Sequence, residues 1–93
     1  MTKFFKVVSV SRTTNSFGLR GMVLVARDGE AWEVAANYLH VRAKGDIVRV
    51  PMSDVLQSEP DWAKMGYEIP TRLPNCPAKA LAEVFPMSKG GVL

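Results

Sequence analysis

Asp28-Gly29 lies between two apolar runs and constrains this chain more than any other pair of residues in it. A two-residue hairpin turn needs positive φ at both central positions, which glycine adopts freely and aspartate tolerates, so Asp-Gly between strand-like runs predicts a β-hairpin. With these two as the turn, Arg27 faces Glu30, Val25 faces Trp32 and Val23 faces Val34, an ion pair followed by two apolar cross-strand pairs. Because side chains alternate along a strand, this register gives the hairpin a bulky face of Val23, Val25, Trp32 and Val34. The opposite face is thin, with Met22, Leu24, Ala26, Ala31 and Ala35, and Glu33 as its one charge. The bulky face is expected to form the core. The thin face invites a covering element, from the same chain or a neighbouring subunit.

Around the hairpin the first half of the chain reads as β, with strands over 3–12, 20–27, 30–36 and 46–51. Thr13-Thr14-Asn15-Ser16 is a polar loop, Gly18 and Gly21 bracket the entry to the second strand, and Lys44-Gly45-Asp46 is a further turn. Residues 35–41 admit either a continued strand or one helical turn. Phe4 and Phe5 point to opposite sides of the first strand, which puts one of them outside unless something covers it. Short strands joined by turns must hide their edges, and the loop order and size resemble those of the SH3-like barrels. The expected fold is therefore mainly β, a small SH3-like barrel of four or five strands over 1–57.

The second half changes character, since five of the six prolines, Pro60, Pro70, Pro74, Pro77 and Pro86, fall after residue 52. Long helices are excluded there. Short ones are predicted over 59–65, behind Ser58 and before Gly66, and over 77–85, with Leu81, Val84 and Phe85 on one face. Between them, 67–74 reads as extended chain, because residues before proline avoid the helical region, and 67–69 can add an edge strand. The last seven residues have no apparent reason to be ordered alone. Residues 58–93 thus form a Pro-rich segment that packs on the barrel or on partners.

The size and composition narrow the function. Ninety-three residues suit one domain, and 47% hydrophobic with 23% charged residues suit a folded protein. No apolar run approaches the roughly 20 residues of a membrane span. The N-terminus alternates Val7, Val8 and Val10 with serines, as a strand does and a signal peptide does not, so the expected location is the cytoplasm or a particle assembled inside the cell. The single cysteine, Cys76, agrees with a reducing compartment. Residues 1–51 hold eight Lys/Arg and four Asp/Glu, a net of +4, against −1 for residues 52–93, so the basic character is local.

No catalytic, metal or cofactor signature is present. His40 is the one histidine and has no evident partner, Cys76 lacks a base, and the carboxylates are scattered. The expectation is a non-enzymatic interaction protein or structural subunit of a virion-like or other oligomeric assembly, whose partners are other protein subunits or copies of itself. Prolines stiffen its C-terminal arm, and Trp62, Tyr67, Ile69, Leu73, Leu81 and Phe85 are its spaced apolar anchors; Trp62 also suits docking the arm back onto the barrel. The alternative is a small basic nucleic-acid-binding barrel, using Phe17, Arg20, Arg42 and Lys44.

Overall fold

Five antiparallel strands, β1 (Thr2–Thr14), β2 (Arg20–Ala26), β3 (Ala31–Ala36), β4 (Ile47–Pro51) and β5 (Tyr67–Leu73), make one sheet in the order β4-β1-β2-β3-β5. The structure, a computed structural model, describes residues 1–56 and 58–86; the reading of the last seven residues lies outside it. The sheet is unclosed, because its outer strands β4 and β5 are not hydrogen-bonded neighbours. The difference from the SH3-like barrel expected for this chain begins at β4. Instead of pairing with β3, it returns by a long connection to lie beside β1, giving the Greek-key order 4-1-2-3, and β5 then takes the free edge of β3.

A 3₁₀ turn over Trp62–Met65 bridges the open side. The Asp61 N–H donates to the Pro51 carbonyl at 2.6 Å at the end of β4, and Gly66, in the left-handed region at φ 77°, ends the turn and delivers the chain into β5. The ring of Trp62 is 4% exposed and packs at centroid distances of 5.0 Å from Phe5, 5.5 Å from Trp32 and 6.1 Å from Tyr67. One indole therefore touches rings from three strands. Around it the core is completed by Val7, Met22, Leu24, Val34, Val48 and Val50.

The hairpin forms, but its register is shifted by one from the expected pairing. Ala26 N–H donates to Glu30 O and Gly29 N–H to Ala26 O, both at 2.9 Å, which encloses Arg27, Asp28 and Gly29 in a three-residue loop. Gly29 has φ 94°, whereas Asp28 is not among the residues of positive φ, so the loop is a type I turn closed by a glycine bulge. Leu24 consequently faces Trp32 and Met22 faces Val34. A slip of one exchanges the faces of one strand relative to the other. The core takes Met22, Leu24 and Ala26 from the thin face predicted for β2, together with Trp32, Val34 and Ala36 from β3. Val23 and Val25 lie on the other face, opposite Glu33 and Ala31, and there Val25 and Ala31 are buried at 4% exposure each, so part of that face is covered.

The expected Arg27–Glu30 ion pair is replaced. Glu30, 8% exposed, accepts hydrogen bonds from the Trp32 indole N–H and the Lys3 ammonium, both at 2.5 Å, and the Arg72 guanidinium lies 3.6 Å away. Lys3 also reaches Asp28 at 2.8 Å. A nearly buried carboxylate is costly to bury alone, and here it gathers donors from β1, β3 and β5 at one end of the core.

The second half joins the sheet more fully than a tail would. The short helix predicted over 59–65 is the 3₁₀ turn, the edge strand of 67–69 extends to Leu73, and α1 (Ala78–Val84) occupies the second predicted helix. Ile69 departs from the extended conformation expected before proline, with φ 52°, and the β3–β5 register is interrupted opposite it. Residues 37–41 form one helical turn, in which Asn37 O accepts from His40 N–H and Val41 N–H. None of the described helices is long and apolar enough to cross a membrane.

Candidate functional site

The outward face of β4, β1 and β2 carries a stripe of cations and rings. Antiparallel partners share a face, so the pairs Phe4–Arg49 and Lys6–Ile47 lie on the side opposite the core pair Phe5–Val48. Phe4 is 53% exposed and Ile47 52%. The Arg49 guanidinium sits over the Phe4 ring at 5.7 Å from its centroid. Next along the sheet, the Phe85 ring lies under two cations, Arg27 at 5.0 Å and Lys6 at 5.8 Å. Lys6 and Lys44 line one cleft of about 440 Å³ together with Glu83 and Val84. Four cations, Lys6, Arg27, Lys44 and Arg49, thus share this surface, and Glu83 is the carboxylate lining the cleft.

Each position has a local cause. Phe4 is outside because Phe5, one residue on, is at 0% exposure in the core. Arg27 is thrown outward by the three-residue loop. Lys44 is placed by the turn before β4, where Gly45 N–H donates to Val7 O at 2.7 Å and Val7 N–H to Asp46 O at 2.9 Å. Phe85 is brought back by the path after β5. There the Cys76 N–H donates to Gly29 O at 2.7 Å, α1 follows, and the Lys6 ammonium donates to Val84 O at 2.7 Å.

Of the four residues read from the sequence as nucleic-acid contacts, only Lys44 joins the stripe. Phe17, 80% exposed, and Arg20 lie at the far end of β1 and β2, and the Arg20 guanidinium donates to Ser11 O. Their loop is a second three-residue turn, with Asn15 N–H on Leu19 O, Gly18 N–H on Asn15 O, and Gly18 at φ 77°. The Asn15 side chain accepts from the N–H groups of Phe17 and Leu19, which fixes the ring's backbone. Arg42 turns onto the carbonyl of His40. Tyr38 and Leu39, 84% and 66% exposed, follow β3 at the same end as Phe17.

The six anchors assigned to a partner separate. Trp62 and Tyr67 are core residues, as docking the second half onto the sheet requires. Ile69 is exposed on the edge strand, Leu73 pairs with Ala31, and Leu81 and Phe85 border a cleft beside Arg27. Lys6, Lys44 and Arg49 are among the basic residues of the first half that the sequence allows to gather on one surface; missed were Arg27, read as the partner of Glu30, and the pairing of Phe4 with Arg49. The available signal was the Phe4-Phe5 doublet, which requires one ring outside.

Other reactive groups are held in structural settings. His40 packs against Gly66, where a Cβ would overlap its ring. Cys76 is half-buried beside the hairpin loop. Among the described residues no group of three or more His, Cys, Asp or Glu is placed to hold a metal. Trp62 Nε1 and Tyr67 Oη are buried without hydrogen-bond partners there, and burial raises the Tyr67 phenol above its ordinary pKa. Compared with known protein families, curated proteins and solved structures, the chain matches none.

Proposed function

We propose that this protein binds single-stranded nucleic acid on the outward face of β4, β1 and β2. The observation that carries the reading is the exposed Phe4 ring with the Arg49 guanidinium over it, on the face that also holds Lys6, Arg27 and Lys44. An exposed cation–π pair contributes about 0.5–1 kcal/mol. Base stacking on an aromatic ring is worth about 1–3 kcal/mol. A base therefore gains by displacing the guanidinium from the ring, and the freed cation gains a phosphate with counterion release. Unpaired bases are needed, because a ring lying on a sheet reaches the flat of a base and not its edge in a groove.

The fold-level reading is revised with it. The strand order is a Greek key with a fifth strand on the free edge of β3, left open on one side, which departs from an SH3-like barrel. A fold alone does not select a ligand, so the weight rests on the surface. Fluorescence anisotropy with a labelled oligothymidine tests it. Phe4→Ala should weaken binding by about tenfold, as loss of one stacked base does, and Arg49→Ala should weaken it and flatten its salt dependence. Absence of binding at low salt, or binding indifferent to both changes, overturns the proposal.

A second reading, a structural subunit of a larger assembly, is supported by one feature: the exposed Phe17, Tyr38 and Leu39 at one end of the sheet. Sedimentation of the purified chain tests it, with self-association abolished by Phe17→Ser and Tyr38→Ser as its expected result, and a monomer at all concentrations as the contrary one.

A further inference from the structure

The end of α1 occupies part of this same surface. It brings three groups there: the Glu83 carboxylate on the cleft shared with Lys6 and Lys44, the Val84 carbonyl that accepts from the Lys6 ammonium at 2.7 Å, and the Phe85 ring under Arg27 at 5.0 Å. An anion, a hydrogen-bond acceptor and an aromatic face are what a nucleotide presents to such a surface. We propose that residues 78–86 are an internal stand-in for the nucleic acid, a strap that covers the Lys6–Arg27–Lys44 half of the site and must leave before a strand can fill it. The inference rests on the binding reading above.

The strap is built to be released. α1 has seven residues, none buried, and no side-chain cap at its N-terminus. Helices this short are unstable by themselves, so α1 persists through its attachments to the sheet. Those attachments are few: the Cys76–Gly29 hydrogen bond before it, the Lys6–Val84 bond at its end, and the Phe85 ring beside Lys6 and Arg27. Pro74 and Pro77 separate it from β5, which is paired to β3 as far as Leu73. A cleft of about 440 Å³ lies beside the end of α1, lined by Lys6 and Lys44 from the sheet side and by Glu83 and Val84 from α1. The Phe4–Arg49 half lies clear of it, with Phe4 half exposed. The site is thus open at one end and occupied by its own chain at the other, and its apparent affinity is lowered by the fraction of molecules with the strap in place.

The test compares full-length protein with the double variant Glu83→Gln, Phe85→Ala, titrated with labelled oligothymidine. The variant is expected to bind at least threefold more tightly, with a steeper salt dependence as Lys6, Arg27 and Lys44 become free to meet phosphates. In the wild-type protein, the oligonucleotide is expected to speed hydrogen exchange at the amides of Leu81 and Phe85, which donate to Pro77 O and Leu81 O in α1. Phe85 is half-buried, so thermal denaturation is run on both proteins, and a single cooperative transition in the variant shows that the sheet remains folded. Unchanged or weaker binding by the variant, or added protection of α1, overturns the strap. If that occurs while Phe4→Ala still weakens binding about tenfold, as one lost stacked base does, the strap alone fails; if wild type does not bind at low salt, the binding reading fails with it.

Discussion

The backbone N–H of Cys76 donates to the carbonyl of Gly29 at 2.7 Å, joining the loop of the central hairpin to the segment that leads into α1. Gly29 is at φ 94°, and a Cβ on it would stand 3.1 Å from the Cys76 carbonyl oxygen. Two demands fall on one residue, a left-handed backbone and a close neighbour. Gly29→Ala should therefore lower stability by about 1–3 kcal/mol. Gly18→Ala, in the matching loop but with nothing within 4 Å, should fall at the lower end of that range. Urea unfolding of the two variants measures the difference, and equal losses would remove the Cys76 contact from the explanation.

Ile69 carries strain on an exposed edge. It is a β-branched residue at φ 52°, 61% exposed, so its side chain contributes little packing. Asparagine tolerates that backbone better, and Ile69→Asn is expected to raise stability by about 1 kcal/mol, read from the urea midpoint at unchanged slope.

The Lys3 cluster sets a pH profile. The hydrogen bond from Lys3 holds the Asp28 carboxyl below its ordinary 3.8, so that contribution is complete above this value and is lost as pH falls through the lower folded pKa. For Lys3, burial disfavours the charge, but the bonds to Asp28 and Glu30 outweigh it and lift the pKa above 10.5. Its contribution is complete below 10.5 and fades as pH rises through the raised value. Tyr67, buried as a neutral phenol, adds to the same alkaline loss from its ordinary 10.0 upward. Lys3→Met should flatten the acid limb of the stability curve and reduce the alkaline one. Tyr67→Phe should reduce only the alkaline limb.

How far the sequence led can be followed through particular residues. Asp28-Gly29 announced a hairpin, and prolines with Gly66 placed the 3₁₀ turn, β5 and α1 close to where they lie. The register did not follow, because Asp-Gly serves a two-residue turn and a three-residue bulged loop equally well, the difference being the sign of φ at one aspartate. That sign decided which face of β2 is core. The Lys3–Glu30 and Phe4–Arg49 relationships were hidden for another reason. They depend on β4 returning to β1 and on the hairpin end meeting the start of the chain, long-range pairings that no local pattern encodes. Trp62 was legible as a residue that docks the second half, but its place among Phe5, Trp32 and Tyr67 required the strand order.

The salt dependence of oligothymidine binding examines the central claim most directly. Four cations meeting phosphates, at about 0.7 per contact on a single strand, predict a slope of log affinity against log salt of about −3, and less with the strap in place. Binding at low salt with a slope of that order, reduced by about one unit or less in Arg49→Ala, is the expected result. A slope near zero, or no binding at low salt, contradicts the assignment of this face to nucleic acid.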